Sequence, residues 1–147
     1  MANGTESVTS HRINVGMMLV DGDCQGSILH LTEPLSFWGG LDPETGRIID
    51  KSHPQCDRCV TNRILLLPGT RGSTSSPGVL VESLRLGTGP AGIILGQPDM
   101  TVLVAVNIAA ELYGRSIPVL IVNRSEWSAF SAVGEASIRS DTIILSG

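Results

Sequence analysis

Three short apolar runs constrain this chain most: Arg63 to Leu67 (RILLL, apolar from Ile64), Ala91 to Leu95 (AGIIL) and Pro118 to Val122 (PVLIV). A strand with one wet face alternates apolar and polar residues. A run without alternation is expected of a strand covered on both sides, as in a parallel sheet. Between the runs lie two stretches of helical period. Val79, Leu80, Leu84 and Leu86 recur on one face and stop at Gly87, with Ser76 as N-cap and Pro77 at the first helical position. Thr101 to Tyr113 follows, with Leu103, Val106, Ala110 and Tyr113 predicted on its buried face and Gly114 as its stop.

The flanks read as β structure. Ile13, Val15, Met17 and Leu19 alternate with Asn14, Gly16 and Met18, which predicts one strand over Arg12 to Val20, ending at Asp21-Gly22. Ser27 to Leu31 reads as a second short strand and Arg47 to Asp50 as a brief one. Glu135 to Ser146 closes the chain with two more. The order β, then β-α-β-α-β, then β predicts an α/β layered fold with two main helices on a partly parallel sheet.

At 147 residues the chain has room for one domain, with residues 1–10 as a flexible arm and residues 11–147 as the folded unit. Hydrophobic residues at 41% can fill a core, and aromatics at 3% leave that core to Val, Ile, Leu and Ala. A net charge of −4 with scattered basic residues gives no nucleic-acid footprint. Lys51 is the only lysine and lies outside any glycine-rich loop, so lysine-based phosphate or Schiff-base chemistry has one poor candidate. No apolar run spans a bilayer, the polar start lacks the pattern of a signal peptide, and Cys24, Cys56 and Cys59 make no disulfide framework. The cytoplasm is the expected compartment.

The segment richest in chemistry is Gly69 to Ser76. A buried strand runs into a glycine turn, and Ser73, Thr74, Ser75 and Ser76 lead into a helix N-terminus. Backbone N–H groups and the positive helix end favour an anion there. Gly69 and Gly72 let a ligand approach the backbone, and Arg71 can pair with a carboxylate or phosphate. The turn has no Gly-Lys-Ser/Thr of a P-loop and no Gly-x-Ser-x-Gly of a hydrolase elbow. A plain capped helix behind a polar turn is the competing reading.

Two loops are unusual. Pro34 to Gly40 spends the scarce aromatics Phe37 and Trp38 beside glycines, to plug the chain's own core or to dock against another chain. His53, Cys56 and Cys59 form His-x-x-Cys-x-x-Cys. A zinc site would need Cys24 as its fourth ligand, and the context does not suit a thioredoxin-type motif. The expectation is that this chain ligates no metal by itself.

The segments Pro34 to Asp50 (PLSFWGGLDPETGRIID), His53-Pro54 and Leu67 to Ser76 (LPGTRGSTSS), in that order, resemble the small subunit of the aconitase X family, from about Gly26 to Val122. The resemblance implies a swivelling β/β/α domain, like the mobile C-terminal domain of aconitases. It also implies a large catalytic subunit as partner, with the iron–sulfur cluster in that partner. The implied reaction is dehydration of a small hydroxy acid, either cis-3-hydroxy-L-proline to Δ1-pyrroline-2-carboxylate or mevalonate 5-phosphate to its anhydro product. It places the proton acceptor at Ser73. Arg71, Gly72, Thr74, Ser75 and Ser76 then hold the substrate anion, and Ser36 and His53 line the closing face. Two departures stand out: Gln55 to Cys59 brings extra cysteines where relatives carry a polar, glycine-containing stretch, and Thr74 to Ser76 replaces a Ser-Arg pair. A non-catalytic module that captures an anion is the rival from another class.

Overall fold

The computed structural model describes residues 10–71, 77–131 and 133–146. Eight strands, three α-helices and one 3-10 turn are present among them. The strands are β1 (Ser10–Ile13), β2 (Met17–Val20), β3 (Asp23–His30), β4 (Ile64–Leu67), β5 (Gly92–Leu95), β6 (Val119–Ile121), β7 (Glu135–Arg139) and β8 (Thr142–Ser146). The helices are α1 (Pro77–Leu86), α2 (Met100–Tyr113) and α3 (Ser128–Ser131), and the 3-10 turn is Arg124–Glu126.

The apolar runs form the centre of the sheet, as their lack of alternation predicts. Strands β3, β4, β5 and β6 pair in parallel in that order. Successive residues of β4 face opposite cores. Leu65 and Leu67 join Ile93, Leu95 and Val119 under α1 and α2. Ile64 and Leu66 join Ile94, Leu120, Trp127, Phe130, Ile138, Ile143 and Leu145 on the other side. Both faces are therefore dry, and a polar residue in either register would lie unsatisfied in a core.

Strand β3 links two layers. Its first half, Asp23 to Ser27, pairs antiparallel with β7, and its second half, Ile28 to His30, pairs parallel with β4. A strand that changes layers makes the corner between packed sheets. The spatial order β1-β8-β7-β3-β4-β5-β6-β2 puts β1 and β2 at opposite ends of the sheet. Only Asn14, Val15 and Gly16 join them, so the two ends lie within about 14 Å of each other. The sheet must fold back on itself, and the second core fills the space inside. The outcome is three layers, antiparallel β over parallel β over α.

This topology corrects the single strand expected over Arg12 to Val20. Alternation reports which residues face a core but not which partner each half finds. Here β1 pairs with β8 and β2 with β6, and the Gly16 N–H donates to the Ile121 carbonyl at 2.8 Å between them. The brief strand expected at Arg47 to Asp50 is two isolated bridges, Leu41 to Ile48 and Arg47 to Cys59.

Helix α2 begins one residue earlier than predicted, at Met100, and ends at Gly114 in the left-handed conformation (φ 65°). Its buried residues are Val102, Ala105, Val106 and Ala109, whereas Tyr113 is 46% exposed. The helix is apolar almost all round, so hydrophobicity does not single out a face. The small Ala105 and Ala109 do, because α2 packs against α1 and small side chains permit that approach. The turn Arg124–Glu126 and helix α3 carry no periodic signal long enough to read.

The loop from Leu31 to Arg63 divides the two functions proposed for its aromatics. Phe37 is fully buried with Leu31, Leu35, Leu41, Ile48 and Val60 in the core beneath α1 and α2. Trp38, the next residue, is 65% exposed.

Candidate active site

The C-terminal ends of the parallel strands carry the candidate residues, the edge where ligands bind in open α/β sheets. Strand β4 ends at Leu67, and Thr70 and Arg71 form the stem from which the hydroxyl-rich turn departs. Ser73, with Gly72, Thr74, Ser75 and Ser76, lies outside the described residues. Pro77 does open α1, whose first turn contains no acidic residue to oppose an anion.

The stem is braced from two sides. Asp99, the N-cap of α2, receives the Thr70 backbone N–H on Oδ2 at 2.8 Å. The Thr70 hydroxyl reaches both carboxylate oxygens, at 2.9 and 2.8 Å. Oδ1 also accepts the Val102 N–H at 3.2 Å, the capping bond itself. A single carboxylate thus ties the end of β4 to the start of α2.

On the other side, Leu35 forms a parallel bridge with Thr70. Its N–H donates to the Gly69 carbonyl and its carbonyl accepts the Arg71 N–H, each at 3.2 Å. The Arg71 guanidinium donates to the Pro34 carbonyl at 3.1 Å and sits 3.5 Å from Glu33 Oε1. Both side chains of that pair are more than half exposed, so it holds little energy.

His53 is buried at 5% exposure. Its Nδ1 accepts the Gln55 N–H at 3.0 Å, and its Nε2 lies 3.1 Å from the Glu33 carbonyl, so Nε2 carries the proton. Gln55 Oε1 then accepts the Thr32 N–H at 3.0 Å. Nε2 therefore ties the 53–55 loop to Glu33, while Nδ1 orders Gln55, whose side chain makes the second tie at Thr32. Ser36 is half-buried, and its hydroxyl donates to the Trp38 carbonyl at 3.0 Å. Gly40 is obligatory in the same loop, because a Cβ there would collide with the Ser36 carbonyl.

The cysteines are dispersed in role. Cys24 lies on β3 against the second core, and burial pushes its thiol up to about 11, with Arg139 opposing. Cys59 donates to Thr61 Oγ1 at 3.2 Å. Burial acts to raise its pKa, but hydrogen bonding with Thr61 and the charges of Arg47 and Arg63 outweigh it and set it below the ordinary thiol value. Among the described residues no three His, Cys, Asp or Glu side chains are arranged to hold a metal ion. The described residues therefore offer no ligand set that fits an iron–sulfur cluster.

Asp99 and Thr70 are the site residues that sequence reasoning missed. The signal existed, since Pro98-Asp99 immediately before an apolar run is a cap pattern. Reading the helix from Thr101 hid it.

A three-layer β/β/α domain with a braced stem at its strand ends defines the class of a swivelling domain. A family model described as the aconitase X swivel domain matches residues 13–146, and the chain belongs to that family. Cis-3-hydroxy-L-proline dehydratase of Pseudomonas aeruginosa is 42% identical over 101 residues, 69% of this chain and 17% of that protein. The phosphomevalonate dehydratase small subunit of Methanopyrus kandleri is 41% identical over 85 residues, 58% of this chain and 63% of that subunit. This chain thus spans a small part of the first relative and less than two thirds of the second. The crystal structure of Thermococcus kodakaraensis aconitase X in its holo form has the same fold, with a TM-score of 0.79 at 24% identity, covering 93% of this chain and 99% of that one. No helix among the described residues is long and apolar enough to cross a membrane.

Proposed function

We propose that this chain is the swivelling small subunit of an aconitase X-type dehydratase, a hydro-lyase completed by a large subunit, and that its substrate is cis-3-hydroxy-L-proline. The match to a named dehydratase at 42% identity carries the reading. The braced stem supports the residue roles. The few cysteines of this chain support a cytoplasmic setting.

In this reading Ser73 Oγ takes the proton α to the carboxylate. The electron pair left on Cα forms the Cα–Cβ double bond as the Cβ–O bond breaks, and the departing hydroxide takes up a proton to leave as water. The enamine so formed tautomerises to Δ1-pyrroline-2-carboxylate. A free hydroxyl is a weak base, so the alkoxide requires positive potential and exclusion of water. The N-terminus of α1 supplies the potential, and closure against the large subunit, burying Trp38, excludes the water. Backbone N–H groups and hydroxyls of Gly72, Thr74, Ser75 and Ser76, with Arg71, hold the carboxylate, while Ser36 and His53 shape the closing face. An iron–sulfur cluster, if the large subunit carries one as the family resemblance implies, would supply Lewis acidity there, while the residues of this chain hold the carboxylate and take the proton.

A second reading, mevalonate 5-phosphate as substrate, is favoured by the 41% identity to a phosphomevalonate dehydratase small subunit. The test is co-expression with a candidate large subunit and anaerobic assay of both substrates. Turnover of cis-3-hydroxy-L-proline by the pair, and by neither chain alone, is expected. Turnover of mevalonate 5-phosphate alone selects the second reading, and activity of this chain alone overturns the two-subunit account.

A further inference from the structure

At the ends of β5 and β6 lies a cavity of about 430 Å³. Its walls are Gly16 and Met17 before and within β2, Gly96 to Pro98 after β5, and Ile121, Asn123 and Arg124 at the end of β6. Only one lining residue is charged, and it is Arg124.

Arg124 is exposed, but its side chain is stacked rather than free. Its guanidinium carbon sits 4.5 Å above the centre of the Trp127 ring. Trp127 is itself 3% exposed, and its indole N–H donates to the Val122 carbonyl at 2.9 Å, which fixes the platform. Gly96 lies against both the arginine stem and the Trp127 ring. A Cβ at that position would stand 2.7 Å from Arg124 Cδ, 3.0 Å from Cγ and 3.6 Å from Trp127 Cζ2, so a side chain there would push the stem aside. Stacking orders a guanidinium without consuming its in-plane N–H donors. Among the described residues no carboxylate pairs with Arg124 and no acceptor takes its N–H groups.

The neighbouring polar groups are also donors. Asn123 uses its Oδ1 to accept the Ser125 N–H at 2.9 Å, which leaves its amide NH2 uncommitted among the described residues. Gln97 adds a second amide; Asp99, two residues on, is engaged by Thr70 and Val102, and Glu126, two residues past Arg124, makes no ion pair with it. A pocket with a pinned cation, amide donors and an apolar wall from Met17, Pro98 and Ile121 is built for an oxyanion head carried on a small apolar body.

We infer that the cavity between Gly96 and Arg124 is a binding site for the carboxylate or phosphate group of a small organic anion, with Arg124 as its anchor. The site is composed of described residues of this chain alone, and it stands whether or not the dehydratase reading holds.

The test is direct binding to the full chain in a Trp38→Phe background, with Trp127 fluorescence as reporter. The probes are inorganic phosphate and acetate, titrated at constant ionic strength against sodium chloride. Saturable binding of at least one probe is expected, weakened about tenfold or more by Arg124→Gln. Gly96→Ala keeps every charge but displaces the stem, and it is expected to weaken binding as well. Arg124→Lys retains part of it. Phosphate binding alone identifies a phosphate site, and acetate binding alone a carboxylate site. Absence of saturable binding by both probes overturns the assignment. So does binding that Arg124→Gln and Gly96→Ala leave unchanged.

Discussion

The Asp99 carboxylate holds both the backbone N–H and the hydroxyl of Thr70 while capping α2. Loss of the carboxylate removes the cap and releases the stem of the turn together. Asp99→Ala is predicted to cost about 1 to 2 kcal/mol in thermal unfolding. In the proposed dehydratase the stem would aim the turn, so kcat is predicted to fall further than this loss of stability implies, with KM less affected. Thr70→Ser keeps both bonds and is expected to stay near the parent, whereas Thr70→Val follows Asp99→Ala in kcat. Equal loss in Thr70→Ser and Thr70→Val contradicts the hydroxyl's role.

Phe37 and Trp38 are adjacent yet opposite in consequence. Phe37→Ala opens a void in a fully dry core and is expected to destabilise the chain by about 3 to 5 kcal/mol. Trp38→Ala is expected to leave stability within about 0.5 kcal/mol, since the side chain is 65% exposed. Its effect is predicted in weaker association with the large subunit, measured by co-purification. Unfolding curves of the two variants separate the roles.

His30 packs edge-on to Trp127, with ring centres 5.5 Å apart. Burial first, and the Arg124 charge second, hold its pKa below the ordinary 6.5. The neutral ring is thus favoured in the folded state, and the unfolded chain binds more protons as pH falls. Stability attributable to His30 is therefore complete above pH 6.5 and declines as pH falls below it toward the folded pKa. Arg124→Gln removes the smaller cause, so an NMR titration should show the His30 pKa rise part of the way toward its ordinary value. No change shows that the Arg124 charge does not reach the ring.

The thiols provide a chemical check on the loop geometry. Cys24 is half-buried with its pKa raised to about 11, while Cys59 is set below the ordinary value by Thr61 and two arginines. The thiolate is the reactive form. Alkylation followed by mass spectrometry at neutral pH is expected to modify Cys59 well before Cys24. The reverse order contradicts the placement of β3 against the second core.

The legible parts of the molecule were those with a local cause. The runs at Ile64, Gly92 and Val119 declared strands with two dry faces, and Gly87 and Gly114 declared helix ends, both with positive φ. What escaped depends on partners distant in sequence. The split of β1 from β2 follows from pairing at opposite sheet ends, and no alternation pattern encodes it. Thr70 and Asp99 stand 29 residues apart, and Gly96, Arg124 and Trp127 meet only because β5 and β6 end side by side. His53 illustrates the intermediate case. Its residue type suggested a site, but burial and two engaged nitrogens make it a clamp on the loop.

The most direct measurement is the dehydration rate of Ser73→Ala in the chain assembled anaerobically with its large subunit. The account predicts a fall of about a hundredfold or more, the range of a lost general base, with assembly intact. A variant that assembles and turns over at the parent rate contradicts it.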